Sequence, residues 1–412
     1  MAAPQSPTPA TPVPAATPVL IVGAGPAGLA LATALARQGI ASTLVEGQSA
    51  EALAAPAEDG RDIALTHRAR AILEDLGLWQ RLPAEAVAPL RHARVHDGGT
   101  PMALPFDAPP RIPGEALGWL VPNHHLRQIA HDAAREQPLV QWLTEARVTG
   151  LELGDAQAPA QVQLQDGRRL QAALVVAADS RFSGTRRLAG LGADWLDFGR
   201  TAIVCRMQAE LGHGDTAHEC FGYGGTLALL PMSGRQLSAV LTLSSEQVPE
   251  WMALTPEAFA HRVAERAGRE AGQALGALSL TGPRHAYPLV ATYAHRFHTR
   301  RLALLGDAAV GMHPVTAHGY NFGLYGVQVL AQQLGRAGAE ALAAGAPQAL
   351  AAYAGEHRRV TRPIYLGTNA IVRLFTDDRA PARLARRAVI ELTRRLPPIQ
   401  ALVTRQLTGQ TG

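Results

Sequence analysis

Val19–Val22 is an apolar run that passes straight into Gly23-Ala24-Gly25-Pro26-Ala27-Gly28. A helical stretch from about Ala27 to Gln38 follows and stops at Gly39, and a second run, Ser42–Val45, ends at Glu46. No other feature restricts the fold as much. Strand, glycine turn, helix and strand in that order make a βαβ unit with parallel strands, so the sheet must be covered on both faces. Gly23 permits the tight turn, Gly25 lets backbone approach a pyrophosphate, and Gly28 lets the helix lie close on the strand. Ala27 stands in the first turn of that helix. Glu46, at the tip of the second strand, is placed to take the ribose hydroxyls of an adenosine. The motif binds a dinucleotide without choosing between a flavin and a nicotinamide.

Arg301–Leu334 holds a second such arrangement at the far end of the chain. Leu302–Leu305 is apolar and stops at Gly306-Asp307, as a buried strand does at a sheet edge. A loop with Pro314 and Gly319 follows. Asn321 and Gly323 then open a segment with Leu324, Val327, Leu330, Ala331 and Leu334 at helical spacing. Asp307 is placed to accept hydrogen bonds from sugar-type hydroxyls, and the helix start offers N–H groups to a negative ligand. An ordinary βα unit has the same spacing; the N-terminal signature is what favours a ligand.

Gly306-Asp307-Ala308-Ala309, Pro314, Gly319, Asn321 and Gly323 together resemble the second FAD motif of single-component flavin hydroxylases, which share the para-hydroxybenzoate hydroxylase fold. They are most similar to the aromatic-ring hydroxylases of ubiquinone biosynthesis, over nearly the whole chain after residue 18. The resemblance implies an α/β fold: a GxGxxG, Rossmann-like FAD domain with an inserted β-sheet substrate domain and C-terminal helices. It places the isoalloxazine at 314–323, among Pro314, Gly319, Tyr320 and Asn321, with Gly306 and Asp307 beneath. Asp59–Leu65 looks like the family's arginine-bearing loop and sets Arg61 against the flavin. A surface ion pair of Arg61 with Asp59 or Asp62 is the alternative. Asn123 stands where the family carries a cofactor neighbour, and it could equally be a helix cap. The stretch AADSRFSGTRRLAG resembles the middle motif through Asp179, Ser183 and Arg186, but Ser180 replaces a glycine that eases a tight turn. His218–Phe221 and Leu227–Ser233 resemble the family's substrate sheet.

Three residues depart from the family around the flavin loop. Ala317-His318-Gly319 stands for Gly-Gln-Gly, His313 precedes Pro314 where asparagine is common, and Gly326 replaces an acid. The wording HPVTAHG is similar to a bacterial sub-branch linked to the ring 5-position. His313, Pro314 and His318 are the candidates for chemistry, the two histidines as proton carriers near neutral pH. A structural hydrogen-bonding role for both histidines stands beside that reading.

With 412 residues the chain exceeds one simple core. Expected boundaries are a disordered tail at 1–18, an FAD domain at 19–90, 119–195 and 285–375, a substrate domain at 91–118 and 196–284, and a helical region at 376–412. The Pro-, Ala- and Thr-rich start has neither the charged nor the apolar part of a secretory signal. No apolar run reaches membrane-span length. Cys205 and Cys220 are expected to stay thiols, and no metal motif is visible. There is no lysine, and a net charge of +4 on scattered arginines does not suggest nucleic acid. Near the C-terminus, Leu384, Ala388, Leu392 and Leu396 share a helix face opposite Arg383, Arg386, Arg387, Arg394 and Arg395. Such a helix either docks its apolar side on its own domain or lies on an anionic membrane.

The resemblance implies bound FAD, reduction by NAD(P)H, and reaction with O₂ that places one oxygen atom on an electron-rich phenol. The substrate it implies is a prenylated quinone precursor, with other ubiquinone-biosynthesis proteins as partners. The expected location is the cytoplasm, with peripheral contact at the inner membrane. A flavin oxygenase of soluble aromatics and a non-catalytic FAD subunit are the rival readings. A flavin halogenase is disfavoured because it would need a lysine.

Overall fold

The computed structural model describes residues 16–97, 103–108, 116–222, 225–313, 318–377 and 379–395. The first βαβ unit is β1 (Ala16–Val22), α1 (Pro26–Ala36) and β2 (Ser42–Val45). Then come α2 (Ala50–Ala54), β3 (Asp62–Leu65), α3 (His67–Asp75), β4 (Ala88–Leu90), β5 (His92–Asp97), β6 (Leu104–Asp107) and β7 (Gly118–Pro122). The chain continues with α4 (Asn123–Arg135), β8 (Val140–Leu143), β9 (Val148–Glu152), β10 (Ala160–Leu164), β11 (Arg169–Ala177) and α5 (Gly184–Leu188). A run of strands follows: β12 (Ala193–Ala209), β13 (Thr216–Gly222), β14 (Gly225–Pro231) and β15 (Gln236–Ser244). After α6 (Val248–Ala253) and α7 (Pro256–Leu275) come β16 (Leu278–Leu280), β17 (His285–Ala294), β18 (His298–Thr299), β19 (Leu302–Leu304) and β20 (Val310–Gly311). Three helices close the described chain: α8 (His318–Ala343), α9 (Pro347–Thr376) and α10 (Ala380–Arg395).

The nucleotide sheet runs β18-β19-β11-β1-β2-β8, and β1 pairs in parallel with both β2 and β11. The inner stretches of its central strands are apolar because both faces are covered: Val19, Leu20 and Ile21 are fully buried, as are Val175 and Val176. β19 pairs in parallel with β11, so the strand ending at Asp307 lies beside the one ending at Asp179. β9, β10 and β11 form an antiparallel layer around the turn at 166–167. The second large sheet runs β20-β17-β12-β15-β14-β13-β5-β6. A three-stranded sheet, β3-β7-β4, is built from strands that flank β5 and β6 in sequence.

The strands differ from the expected boundaries in two places. Ala16 to Pro18, expected in the tail, belong to β1: Ala16 and Thr17 pair with Gln171 and Ala172 of the long strand β11. Thr17 is buried there and accepts the Thr43 hydroxyl at 3.1 Å. The limits at 195 and 284 also fall within or beside paired strands. β12 and β17 stay paired from Ala193 opposite Ala294 to Val204 opposite His285. They carry the substrate sheet back into the nucleotide core, where Ala291, Tyr293 and Ala294 are buried.

The C-terminal helix reverses the expected docking. Arg386 is 1% exposed, lies 2.9 Å from the buried carboxylate of Asp97, and donates to the Phe375 carbonyl at 2.8 Å. Leu384 is 71% exposed, and Leu392 and Ala388 are also at the surface. A buried acid on β5 demands a cation, and the arginine face of α10 supplies one. Leu396 lies outside the described residues.

Candidate active site

The two glycine signatures, almost 280 residues apart in sequence, meet at one point. A Cβ on Gly306 would stand 3.2 Å from the Ala27 methyl, and one on Gly323 3.7 Å from it. The first turns of α1 and α8 thus face each other across the tip of β19. At Gly25 and at Gly319 a Cβ would meet nothing within 4 Å among the described residues, so the starts of α1 and α8 border open space. Gly23 holds φ at +104°, and a side chain there would strike the Ala178 carbonyl at 2.5 Å. Gly28 passes so close to the Gly23 carbonyl that no side chain fits. Glu46 fixes the loop from the side, accepting Ala24 N–H at 2.8 Å and Gln48 N–H at 2.9 Å. A buried sheet edge with two helix starts and open, side-chain-free backbone fits a long dinucleotide phosphate.

Asp307 is one-third exposed and lies 3.0 Å from Arg181, which also donates to the Val290 carbonyl. Arg181 is a residue that motif reading missed, although it stands within the middle motif. Arg61 takes the ion-pair alternative, lying 2.6 Å from Asp59. Asn123 caps nothing: Pro122 is the cap position, and the Asn123 amide donates to Asp59 at 2.8 Å. Burial raises the Asp59 carboxyl, but the Arg61 pairing and the Asn123 bond outweigh it and hold the group below its ordinary value. Tyr287 of β17 donates to the Asp59 carbonyl at 2.7 Å, so this loop is tied to the substrate sheet as well. The Asn321 side chain accepts from Thr66 N–H at 3.0 Å and donates to the Ala64 carbonyl at 2.9 Å. That side chain therefore braces α8 against the end of β3. Tyr320 beside it is deeply desolvated, which pushes its phenol up.

The middle motif folds onto the same corner. Asp179 accepts the Ser183 hydroxyl and the Thr185 N–H, so it organises the start of α5. Arg186, 1% exposed, reaches the Ala308 carbonyl at 2.9 Å and ties α5 to the turn after Gly306. Ser180 keeps the left-handed backbone of the glycine it replaces, with φ at +81°.

His313 and His318 are both 5% exposed. Burial, with Arg181 and Arg200 nearby, pushes the His313 imidazole down to about 4. That burial favours the neutral imidazole at neutral pH. Its ring stands edge-on to Phe198 at 4.7 Å. His318 begins α8 and packs on Phe322 at 5.2 Å. Pro314 and Ala317 lie outside the described residues. Gly326 has a packing reason: a Cβ there would come within 3.0 Å of His357 and Leu305.

The substrate sheet has two unlike faces. One packs on α6 and α7 through Cys205, Met207, Leu227, Leu229, Ala239 and Leu241, all buried. Opposite them, Arg206, Glu219, Ala228, Leu230, Val240 and His285 are only half-buried. That second face looks toward β3, since Arg206 pairs with Asp62 there. Burial pushes the Asp62 carboxyl up to about 6, against the pull of Arg206. This half-buried face is therefore the one turned toward β3 and the Asp59–Asp62 segment. Among the described residues no group of three or more His, Cys, Asp and Glu is placed to hold a metal ion.

Residues 16–365 match the model of the FAD binding domain family. Ubiquinone hydroxylase UbiM of Neisseria meningitidis is 42% identical over 395 residues, covering 95% of this chain and 84% of that one. Ubiquinone hydroxylase UbiL of Rhodospirillum rubrum is 39% identical, covering 95% and 89%. Among solved structures, p-nitrophenol 4-monooxygenase PnpA of Pseudomonas putida superposes with a TM-score of 0.75 at 18% identity, over 95% of this chain and 98% of its own. That likeness shows the same fold, an α/β nucleotide domain with an inserted sheet.

Proposed function

The chain belongs to the ubiquinone hydroxylases of the FAD-binding-domain family and is an FAD-dependent monooxygenase, and from that premise we propose that it hydroxylates a prenylated phenol precursor of ubiquinone. The observation that carries the reading is the meeting of Ala27, Gly306 and Gly323 beside open backbone at Gly25 and Gly319. FAD, when bound, accepts hydride from NAD(P)H and activates O₂ for transfer of one oxygen atom to the ring.

The protein's part is to bind, orient and exclude water. Gly25 and the first turn of α1 would hold the pyrophosphate, and Glu46 the adenosine ribose. Asp307 would take hydroxyls on the flavin side, exchanging its contact with Arg181 for them. The first turn of α8, with Gly319, Tyr320 and Asn321, would set its N–H groups against the ring system. Gly23 and Gly28 shape the turn, and Asp179 and Asn123 act by fixing neighbouring segments. Arg61, held by Asp59 and lying 5.5 Å over the Tyr287 ring, guards the cleft side.

No helix among the described residues is long and apolar enough to cross a membrane. A lipid substrate must still reach the cleft. Leu366, Ile371, Leu384, Val389 and Leu392 of α9 and α10 are all exposed, with Arg379 and Arg395 nearby in sequence. That combination supports peripheral docking on an anionic bilayer, and Leu384→Asp with Leu392→Asp should abolish co-sedimentation with anionic vesicles. Lipid analysis of a strain lacking this protein tests the main reading. A prenylated intermediate without oxygen at ring position 5 should accumulate, and unchanged quinone content would refute the proposal.

A further inference from the structure

Glu219 sits on β13 between two cross-strand neighbours that offer it no polar group, Val95 on β5 and Ala228 on β14. The row continues through Val240 and Val204 to His285 on β17. Strand alternation puts this row on the cleft face, because the next row toward β3 contains Leu230, Ser238 and Arg206, whose guanidinium meets Asp62. Cys220, one residue on, points the other way and packs on α7 through the Ala267 carbonyl. The row around Glu219 is therefore small and apolar from Val95 through Ala228, Val240 and Val204, with Glu219 its one carboxyl.

The charged groups around the wall already have work. Arg206 on β12 pairs with Asp62, and Asp97 on β5 pairs with Arg386 of α10. Tyr287 on β17 bonds the Asp59 carbonyl, and α9 contributes Phe375 against Phe221. His285 of β17 lies beside Gly60. His96 and His218 face each other on the opposite side of β5 and β13. Among the described residues no arginine or histidine forms an ion pair with Glu219.

Resting on the reading of the cleft as a phenol site, we infer that Glu219 is the catalytic residue that receives the ring hydroxyl of the aromatic substrate and takes its proton. A flat ring laid over Ala228 and Val240 would bring its hydroxyl to Glu219, a carboxyl with no protein partner among the described residues. As the ring carbon gains one atom of O₂, the phenolic O–H bond breaks and its proton passes to a carboxylate oxygen of Glu219; the hydrogen on that carbon then moves to the ring oxygen as aromaticity returns, and the other atom of O₂ leaves as water at the expense of NAD(P)H. The electron pair stays on the ring oxygen and feeds the ring, and the proton leaves to water after product departs. Desolvation pushes the Glu219 carboxyl up to about 8, toward the range of an ordinary phenol, which suits a base for this transfer.

The test uses the FAD-loaded protein with 2-prenylphenol and its methyl ether as probes. Without NAD(P)H, flavin absorbance changes should report phenol binding at least tenfold tighter than ether binding above pH 8. Glu219→Gln should bring that ratio below threefold at unchanged FAD content. With NAD(P)H and O₂, product formed per NAD(P)H should rise with pH through about 8 in the parent and stay low and flat in E219Q. Glu219→Asp should keep the rise at a reduced rate, and its loss there overturns the assignment even if E219Q folds poorly. Full phenol preference and an unchanged pH rise in E219Q overturn the role of Glu219 and leave the phenol reading standing. A parent protein that responds to neither probe overturns both.

Discussion

The nucleotide corner and the substrate cleft are built on opposite plans. In the corner, side chains hold other parts of the protein: Asn321 braces β3, Asp179 organises α5, and Glu46 pins the glycine turn. On the proposed reading, backbone amides, joined by the Glu46 and Asp307 carboxylates, are what remain for the cofactor. In the cleft the backbone is consumed by sheet pairing, and the side chains of one face are what remain for a ligand. A site made of backbone depends on glycines, whereas a site made of side chains depends on which way each strand faces.

The largest expected effect breaks the corner. Gly25→Val puts a branched side chain into the open space beside the α1 start, and the purified protein should fold yet lose its yellow colour. Breaking the cleft's support comes next. Arg386→Ala strands the buried Asp97 charge and should cost about 3–5 kcal/mol in denaturant melts. Replacing both partners, Asp97→Leu with Arg386→Met, should recover most of that. Asp307→Ala should weaken FAD binding by roughly tenfold to a hundredfold, about 1.5–3 kcal/mol, in equilibrium titration. The smallest effect sharpens the contrast. Ser180→Gly relieves a left-handed residue and should raise stability by about 1 kcal/mol with unchanged flavin affinity. Tighter FAD binding in that variant would mean that the middle motif touches the cofactor directly.

The corner was legible in the sequence because backbone geometry leaves a written trace: Gly23, Gly28, Gly306 and Gly323 stand where no side chain fits or where helices nearly touch. Side-chain partners left no such trace. Arg61 could have paired with Asp59 or Asp62, and only the fold shows that Asp62 belongs to Arg206 instead. His313 reads as a titrating group until its burial is known. The α10 periodicity was visible, but its direction was not, since a carboxylate almost 290 residues earlier in the chain decided which face turned inward. Glu219 stood in a stretch that resembled the substrate sheet, and alternation alone could not say which face was the cleft.

β19 has a consequence for how the protein is made. It fills the slot beside β11 and carries Gly306 to Ala27, so the nucleotide sheet is finished by residues near 305. β11 leaves the ribosome roughly 6–25 s before β19 at ordinary elongation rates of about 5–20 residues per second. During that interval the edge of β11 that β19 will cover stays open. Flavin loading is thereby made a late event of synthesis, and a chain truncated before residue 302 should emerge with its glycine turn intact and no grip on the cofactor.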